Sequence, residues 1–137
     1  MIDMDKIRLE VEEQIALDKK LVQELLDKGD FLDEDGYPTD DALTIIELWH
    51  WDDIKGWFDF IHDIWHLASW GWGESEVDNQ FYPDERKHQY DISTAGWSGN
   101  ESIIRAMQQN DFVWALTWEQ SRRGGHYIFQ RDIEELK

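Results

Sequence analysis

One stretch of the chain leaves it few options. From Tyr90 to Phe129 it reads YDISTAGWSGNESIIRAMQQNDFVWALTWEQSRRGGHYIF, and its apolar period switches repeatedly between that of a strand and that of a helix. His88 to Thr94 alternates Tyr90 and Ile92 with Asp91 and Ser93, the period of a strand. Ala95-Gly96-Trp97 then permits a tight turn, because Gly96 is free to take positive φ. Ser98-Gly99-Asn100-Glu101 has capping-box spacing: the serine oxygen accepts from the amide three residues on, and the glutamate reaches back to the serine amide. Ile103, Ile104 and Met107 give one apolar helical face, and Asn110 is the expected end. Phe112, Trp114, Leu116 and Trp118 alternate with Val113, Ala115 and Thr117, which predicts a second strand. Ser121 to Gly125 is the expected hairpin turn, with Gly124-Gly125 as its permissive backbone. His126 to Arg131 returns as the third strand, with Tyr127 and Phe129 on one side.

The rest of the chain reads as helices. Asp5 to Lys28 is amphipathic, with Ile7, Val11, Ile15, Val22, Leu25 and Leu26 along its apolar stripe. It is expected to pack on its own domain rather than pair with another chain, and Gly29 is a natural stop. Thr39 is the expected cap of a helix reaching about Trp49, with Asp40 and Asp41 at its positive end and Leu43, Ile46 and Leu48 inward. Asp52 or Asp53 caps the strongest amphipathic run, in which Ile54, Trp57, Phe58, Ile61, Ile64, Trp65 and Ala68 fall at helical spacing. Ser69 to Pro83 reads as irregular and Ile133 to Lys137 as a frayed end. The expected fold is therefore α+β in one domain, 1–137. An acidic helical half, 1–85, packs on one face of a small, mainly antiparallel three-stranded sheet formed by 86–137. One helix is inserted between the first two strands.

Composition narrows the function classes. A chain of 137 residues with nine tryptophans can bury a real, aromatic-rich core. Without cysteine it has no disulfide and no thiolate metal site. Residues 1–13 are charged rather than apolar, unlike a signal peptide, and no apolar run approaches the length that spans a membrane. The expected location is the cytoplasm. The net charge of −18 is uneven: residues 1–85 hold 24 acids and 6 bases, whereas residues 86–137 hold 7 of each. Direct nucleic-acid binding needs a basic footprint, and this chain has the reverse. Two readings of the acids remain, a solvated coat or a face that docks on a basic partner in place of DNA. The acids best placed for docking are Asp27, Asp30, Asp33, Glu34, Asp35, Asp40 and Asp41, around one loop. That loop is not an EF-hand: with Gly36 at the glycine position, the first and last ligands fall on Phe31 and Ala42.

Other residues suggest chemistry. His62 and His66 lie four apart in the third helix, beside Asp59 and Asp63, and two such histidines can share a metal ion. The zinc-protease pattern needs glutamate after the first histidine, where this chain has Asp63. The expected amides at the start of the 98–110 helix resemble an anion cradle. Trp97, Ser98 and Gly99 there, with Arg122, Arg123 and His126 on the hairpin, form the candidate ligand set. Arg86, Lys87 and His88 precede the first strand and could converge on the same place. Ser93, Ser98, Asp91 and His126 are the only compact set of catalytic types. No cofactor is expected, and an enzyme is the less favoured class.

The segment Gly96 to Ile104, GWSGNESII, followed by a Trp-rich run and by Arg123 to Phe129, RGGHYIF, resembles a family of small phage and bacterial proteins of uncharacterised activity. Asp35 to Thr39, Ile64-Trp65-His66 and Trp70-Gly71-Trp72 echo it more faintly. That family often carries glycine where this chain has Ala95. The resemblance implies a phage-type context. With the charge pattern, it leads to an expected function: a non-enzymatic acidic accessory protein that binds and inhibits a host protein, either DNA-binding or part of a defence system. The alternative is a small-ligand, anion or nucleotide, binding or catalytic domain built on the 96–101 turn and the 122–126 hairpin.

Overall fold

The computed structural model describes residues 2–82 and 84–133; the expected frayed end lies outside them from residue 134 on. Helix α1, Met4–Lys28, starts at Asp3, whose carboxylate accepts the Lys6 amide, and ends at Gly29 with φ 71°. Helix α2, Asp40–Leu48, starts at Thr39, whose hydroxyl accepts the Ala42 amide at 3.2 Å. A 3-10 turn, Trp51–Asp53, leads into α3, Ile54–Ile64, capped by the Asp53 carboxylate. Then follow a short α4 (Ala68–Gly71), β1 (Trp72–Asp78), β2 (Arg86–Ser93), α5 (Ser98–Gln109), α6 (Asp111–Thr117), β3 (Trp118–Arg122) and β4 (His126–Asp132). The fold is α+β, as expected, but its antiparallel sheet has four strands in the order β1-β2-β4-β3.

The core forms where α3 meets the sheet. Trp57, Phe58, Ile61 and Ile64 are buried on α3 at the spacing the sequence announced, and Phe60 is buried as well. The Phe58 ring stacks on Tyr90 of β2 at 3.9 Å and meets Phe129 of β4 at 5.6 Å. Burying large rings of this kind is the main stabilising contribution. Helix α2 packs between α1 and α5. The indole of Trp57 and the amide of Asn110 both donate to the Ile46 carbonyl, at 3.0 Å each. Every buried side-chain nitrogen and oxygen among the described residues has a hydrogen-bond partner.

Several expectations need correction. The 69–83 segment is not irregular throughout, since Trp72–Asp78 forms β1, paired with β2 from Trp72↔Ile92 to Asp78↔Arg86. This is an exposed edge strand rich in Glu and Ser, so it lacks the apolar alternation that marks a half-buried strand. Its side chains are tied to β2 by polar contacts instead: Glu74 lies within hydrogen-bond distance of His88 at 2.7 Å, and Asp78 pairs with Arg86 at 3.0 Å.

The expected strand from Phe112 to Trp118 is mostly helix α6. Asn110 explains why: its Oδ1 accepts the Val113 amide, while its Nδ2 donates to the carbonyls of Ile46 and Trp49. This starts a helical turn. Val113 and Thr117, one helical turn apart, are the buried pair, and Phe112 and Leu116 are exposed. Two helices, α5 and α6, thus separate β2 from β3, and the hairpin turn narrows to Arg123–Gly125.

Helix α3 stops at Ile64 rather than Ala68, and Leu67 takes the left-handed conformation with φ 59°. Only the second half of α1 packs on the body, because residues 2–14 are all exposed. Among the described residues no helix is long and apolar enough to cross a membrane.

Candidate functional site

Three segments distant in sequence meet at Trp97. Its ring stacks on Tyr37, at 4.6 Å and 28°, and on His66, at 4.2 Å and 29°. Tyr37 comes from the acidic loop, His66 from the turn after α3, and Trp97 from the turn before α5. The hairpin is tied to the start of that last turn, where the Thr94 amide donates to the Gly125 carbonyl at 3.0 Å.

Local chemistry explains why this turn carries these residues. Trp97, not Ser98, is the cap position of α5, and no side chain caps the helix. The capping box therefore does not form. Ser98 is the first helical residue, and its hydroxyl lies 3.4 Å from the Tyr37 hydroxyl. Asn100 makes the local bonds instead: its Oδ1 accepts the His66 amide at 3.0 Å, and its Nδ2 donates to the His66 carbonyl at 2.9 Å. Gly99 is required because a Cβ there would fall 2.1 Å from Cζ3 of Trp97. At Gly125, φ is 78° and a Cβ would fall 2.2 Å from the Thr94 hydroxyl.

The same packing alters the anion reading. The Trp97 ring lies against Gly99 at the helix start, where an anion was expected. Of the candidate ligand set, Trp97, Ser98 and Gly99 are together, but Arg122, Arg123 and His126 sit at the hairpin end. Arg122 donates to Gln120 at 3.1 Å, and Arg123 is exposed. His126 lies opposite Ser93 in the sheet and 3.6 Å from Asp91, while Ser93 accepts the Ala95 amide. Trp97 thus stacks on Tyr37 and His66, whereas His126 faces Asp91 across the sheet. The groove between α5 and β4, about 330 Å³, is lined by other residues, among them Thr94, Glu101, Arg105 and Tyr127. Arg86, Lys87 and His88 pair with Asp78, Asp132 and Glu74 respectively.

The histidine pair is separated too. His62 is in the last turn of α3 with its ring 5.1 Å from Trp72, and His66 lies beyond the helix end, stacked on Trp97. Their four-residue spacing therefore does not place both rings on one helical turn. Among the described residues no group of three or more potential ligands is gathered for a metal ion.

The acidic loop adjoins the Trp97 stack. Asp33 Oδ1 accepts the amides of Asp35 and Tyr37, both at 2.9 Å, and Leu32 bridges to Pro38. These bonds set the loop and aim Tyr37 at Trp97, so Asp33 is a structural residue of the loop. Glu34, Asp35, Asp30 and Asp40 are exposed. Asp27 accepts from Gln23, and Asp41 pairs with Lys28 at 2.9 Å. The Lys28 ammonium is held protonated above its ordinary range, first by the hydrogen bond to Asp41 and then by that charge.

Beyond His66, Leu67 and Trp70 stand in solvent, Trp70 being 71% exposed. The Trp70 amide donates to the Leu67 carbonyl, so the strained turn presents both side chains. Leu67, Trp70 and Asn100 escaped the sequence reading. Asn100 was visible inside the GWSGN turn, but its partners lie 34 residues away.

Comparison with protein-family models, with curated proteins and with solved structures found no match to this chain.

Proposed function

We propose that this chain is a non-enzymatic, phage-type accessory protein that binds and inhibits a basic host protein, one that binds DNA or serves in defence. The observation that carries this is the adjoining of acids and aromatics. The loop bearing Glu34 and Asp35 continues directly into Tyr37, which stacks on Trp97, and the turn after His66 adds Leu67 and Trp70. Aromatic anchors inside a polar, charged rim are the anatomy of a protein-binding face. A net charge of −18 steers a basic partner toward it. The phage context rests on the resemblance of GWSGNESII and RGGHYIF, and the choice of a DNA-competing target rests on the charge.

The test is an affinity pull-down from host lysate, followed by binding measurements on the protein it returns. Reversing Glu34, Asp35 and Asp40 to lysine spares the Asp33 bonds that hold the loop. Binding is expected to weaken with that reversal, with Trp70→Ala, and on raising salt from low to physiological. A partner whose affinity ignores all three overturns the reading and leaves the acids as a solvated coat.

A further inference from the structure

The first half of α1 carries apolar side chains with no part of the described chain beneath them. At helical spacing Met4, Ile7 and Val11 fall on the same stripe as Ile15, Val22 and Leu25. Val22 is buried on the body, yet Met4, Ile7 and Val11 are 68%, 43% and 51% exposed. The stripe thus continues past the edge of the body. At that edge is an apolar shelf: Trp51 and Phe112 lie 4.6 Å apart, both exposed, and Leu116 follows one turn after Phe112. Ile15, Trp51 and Phe112, together with Asp18 and Glu47, line a shallow cavity of about 140 Å³ where helix and shelf meet. The Lys19–Asp52 pair, at 2.6 Å, holds that corner.

We propose that a second copy of this chain covers both surfaces. The overhanging half-helices lie antiparallel, crossing near Val11, and the Met4 end of each rests beside the Trp51–Phe112 shelf of the other. Three observations select a second copy. First, the molecule supplies both the projecting apolar helix and an apolar shelf, and one two-fold axis satisfies both at once. A crossing at Val11 sets Ile7 against Ile15 of the other copy and brings Asp3 near its Lys19. Second, the exposed surface of Met4, Ile7, Val11, Trp51, Phe112 and Leu116 amounts to roughly 600 Å² per copy, near the ~800 Å² per partner of a standard interface. Third, a helical stretch of this length is marginal in water without tertiary cover, so the overhang itself gains from a partner. The acids of the overhanging half-helix, Asp5, Glu10, Glu12 and Glu13, fall off the apolar stripe and remain in solvent.

The dimer is independent of the proposed host partner, and salt separates them. Two copies at −18 repel, so self-association tightens with salt, whereas a basic partner is released. Sedimentation equilibrium of the full chain, from micromolar to hundreds of micromolar and at low and high salt, is expected to show a monomer–dimer equilibrium. Ile7→Glu with Val11→Glu, and separately Phe112→Glu, change exposed positions and should leave circular dichroism unaltered while weakening the dimer about tenfold or more. The chain has no cysteine, so Val11→Cys puts a single thiol on the axis and should oxidise to a linked dimer, unlike Glu24→Cys on the opposite face of α1. A monomer throughout the concentration range at both salts, or a dimer indifferent to both charge variants, overturns the proposal.

Discussion

Replacing Asn100 with alanine tests whether the turn before α5 is a clamp rather than a capping box. Asn100 is fully buried. Its side chain satisfies both the amide and the carbonyl of His66, at 3.0 and 2.9 Å, and makes a longer bond to the Thr94 carbonyl at 3.4 Å. Asn100→Ala leaves the two His66 groups without their partner. A buried polar group so stranded costs about 1–3 kcal/mol. These bonds are only partly buried, so the pair should cost about 3 kcal/mol together rather than the sum of the upper limits. For a chain of this size that corresponds to a fall in Tm of roughly 10 °C. Urea unfolding followed by tryptophan fluorescence and far-ultraviolet circular dichroism measures it, with an unchanged m-value showing that the loss is stability. Ser98→Ala is the control. Its hydroxyl caps nothing, so the variant should stay within about 0.5 kcal/mol of wild type. If Asn100→Ala loses less than about 1 kcal/mol, or if Ser98→Ala loses as much as it does, the clamp is wrong and a serine cap regains its case.

Three further outcomes follow from the same geometry. Gly99→Ala should destabilise by about 1–3 kcal/mol by driving Trp97 off its stack, where an ordinary helical glycine would gain from alanine; a chemical melt decides the sign. Ala95 has φ 54°, so Ala95→Gly should stabilise by about 0.5 kcal/mol as relief of the left-handed strain outweighs the added chain entropy; a variant less stable than wild type would contradict this. Burial pushes the Tyr90 phenol up to about 12, although the hydrogen bond from Arg131 Nε, at 2.8 Å, pulls it back. An unfolded tyrosine ionises near pH 10. The unfolded chain therefore releases a proton first, and stability should fall as pH rises across that window, by about 1.4 kcal/mol per unit at most. Urea melts at about pH 9 and about pH 11 should show a larger loss for wild type than for Tyr90→Phe, and equal losses would refute it.

The sequence by itself determined the elements whose signals are local. The stripe of α3 placed its buried rings because one helix face must avoid water, whatever it packs on. Thr39 and Gly29 marked helix ends because their bonds close within a few residues. Tyr90 with Ile92, and the glycines of the hairpin, marked β2 and β4 because a half-buried strand must alternate. Gly96, expected to take positive φ in the turn before Trp97, does so at 71°. The charge asymmetry was likewise a matter of counting.

Tertiary structure decided whatever depends on partners far along the chain. Asn110 turned FVWALT into helix because the carbonyls of Ile46 and Trp49 hold its amide, and no window around residue 112 contains them. Strand β1 exists because β2 offers it a free edge, so its own residues stay polar. Asn100 holds the amide and carbonyl of His66, just past the early end of α3, and no window around residue 100 contains those partners. The candidate face arose in the same way: Tyr37, His66 and Trp97 stack because three turns are brought to one place. The overhang of α1 was hidden for the opposite reason. An amphipathic stripe shows that a helix needs cover along its length, but only the packed structure shows where the chain's own body stops providing it.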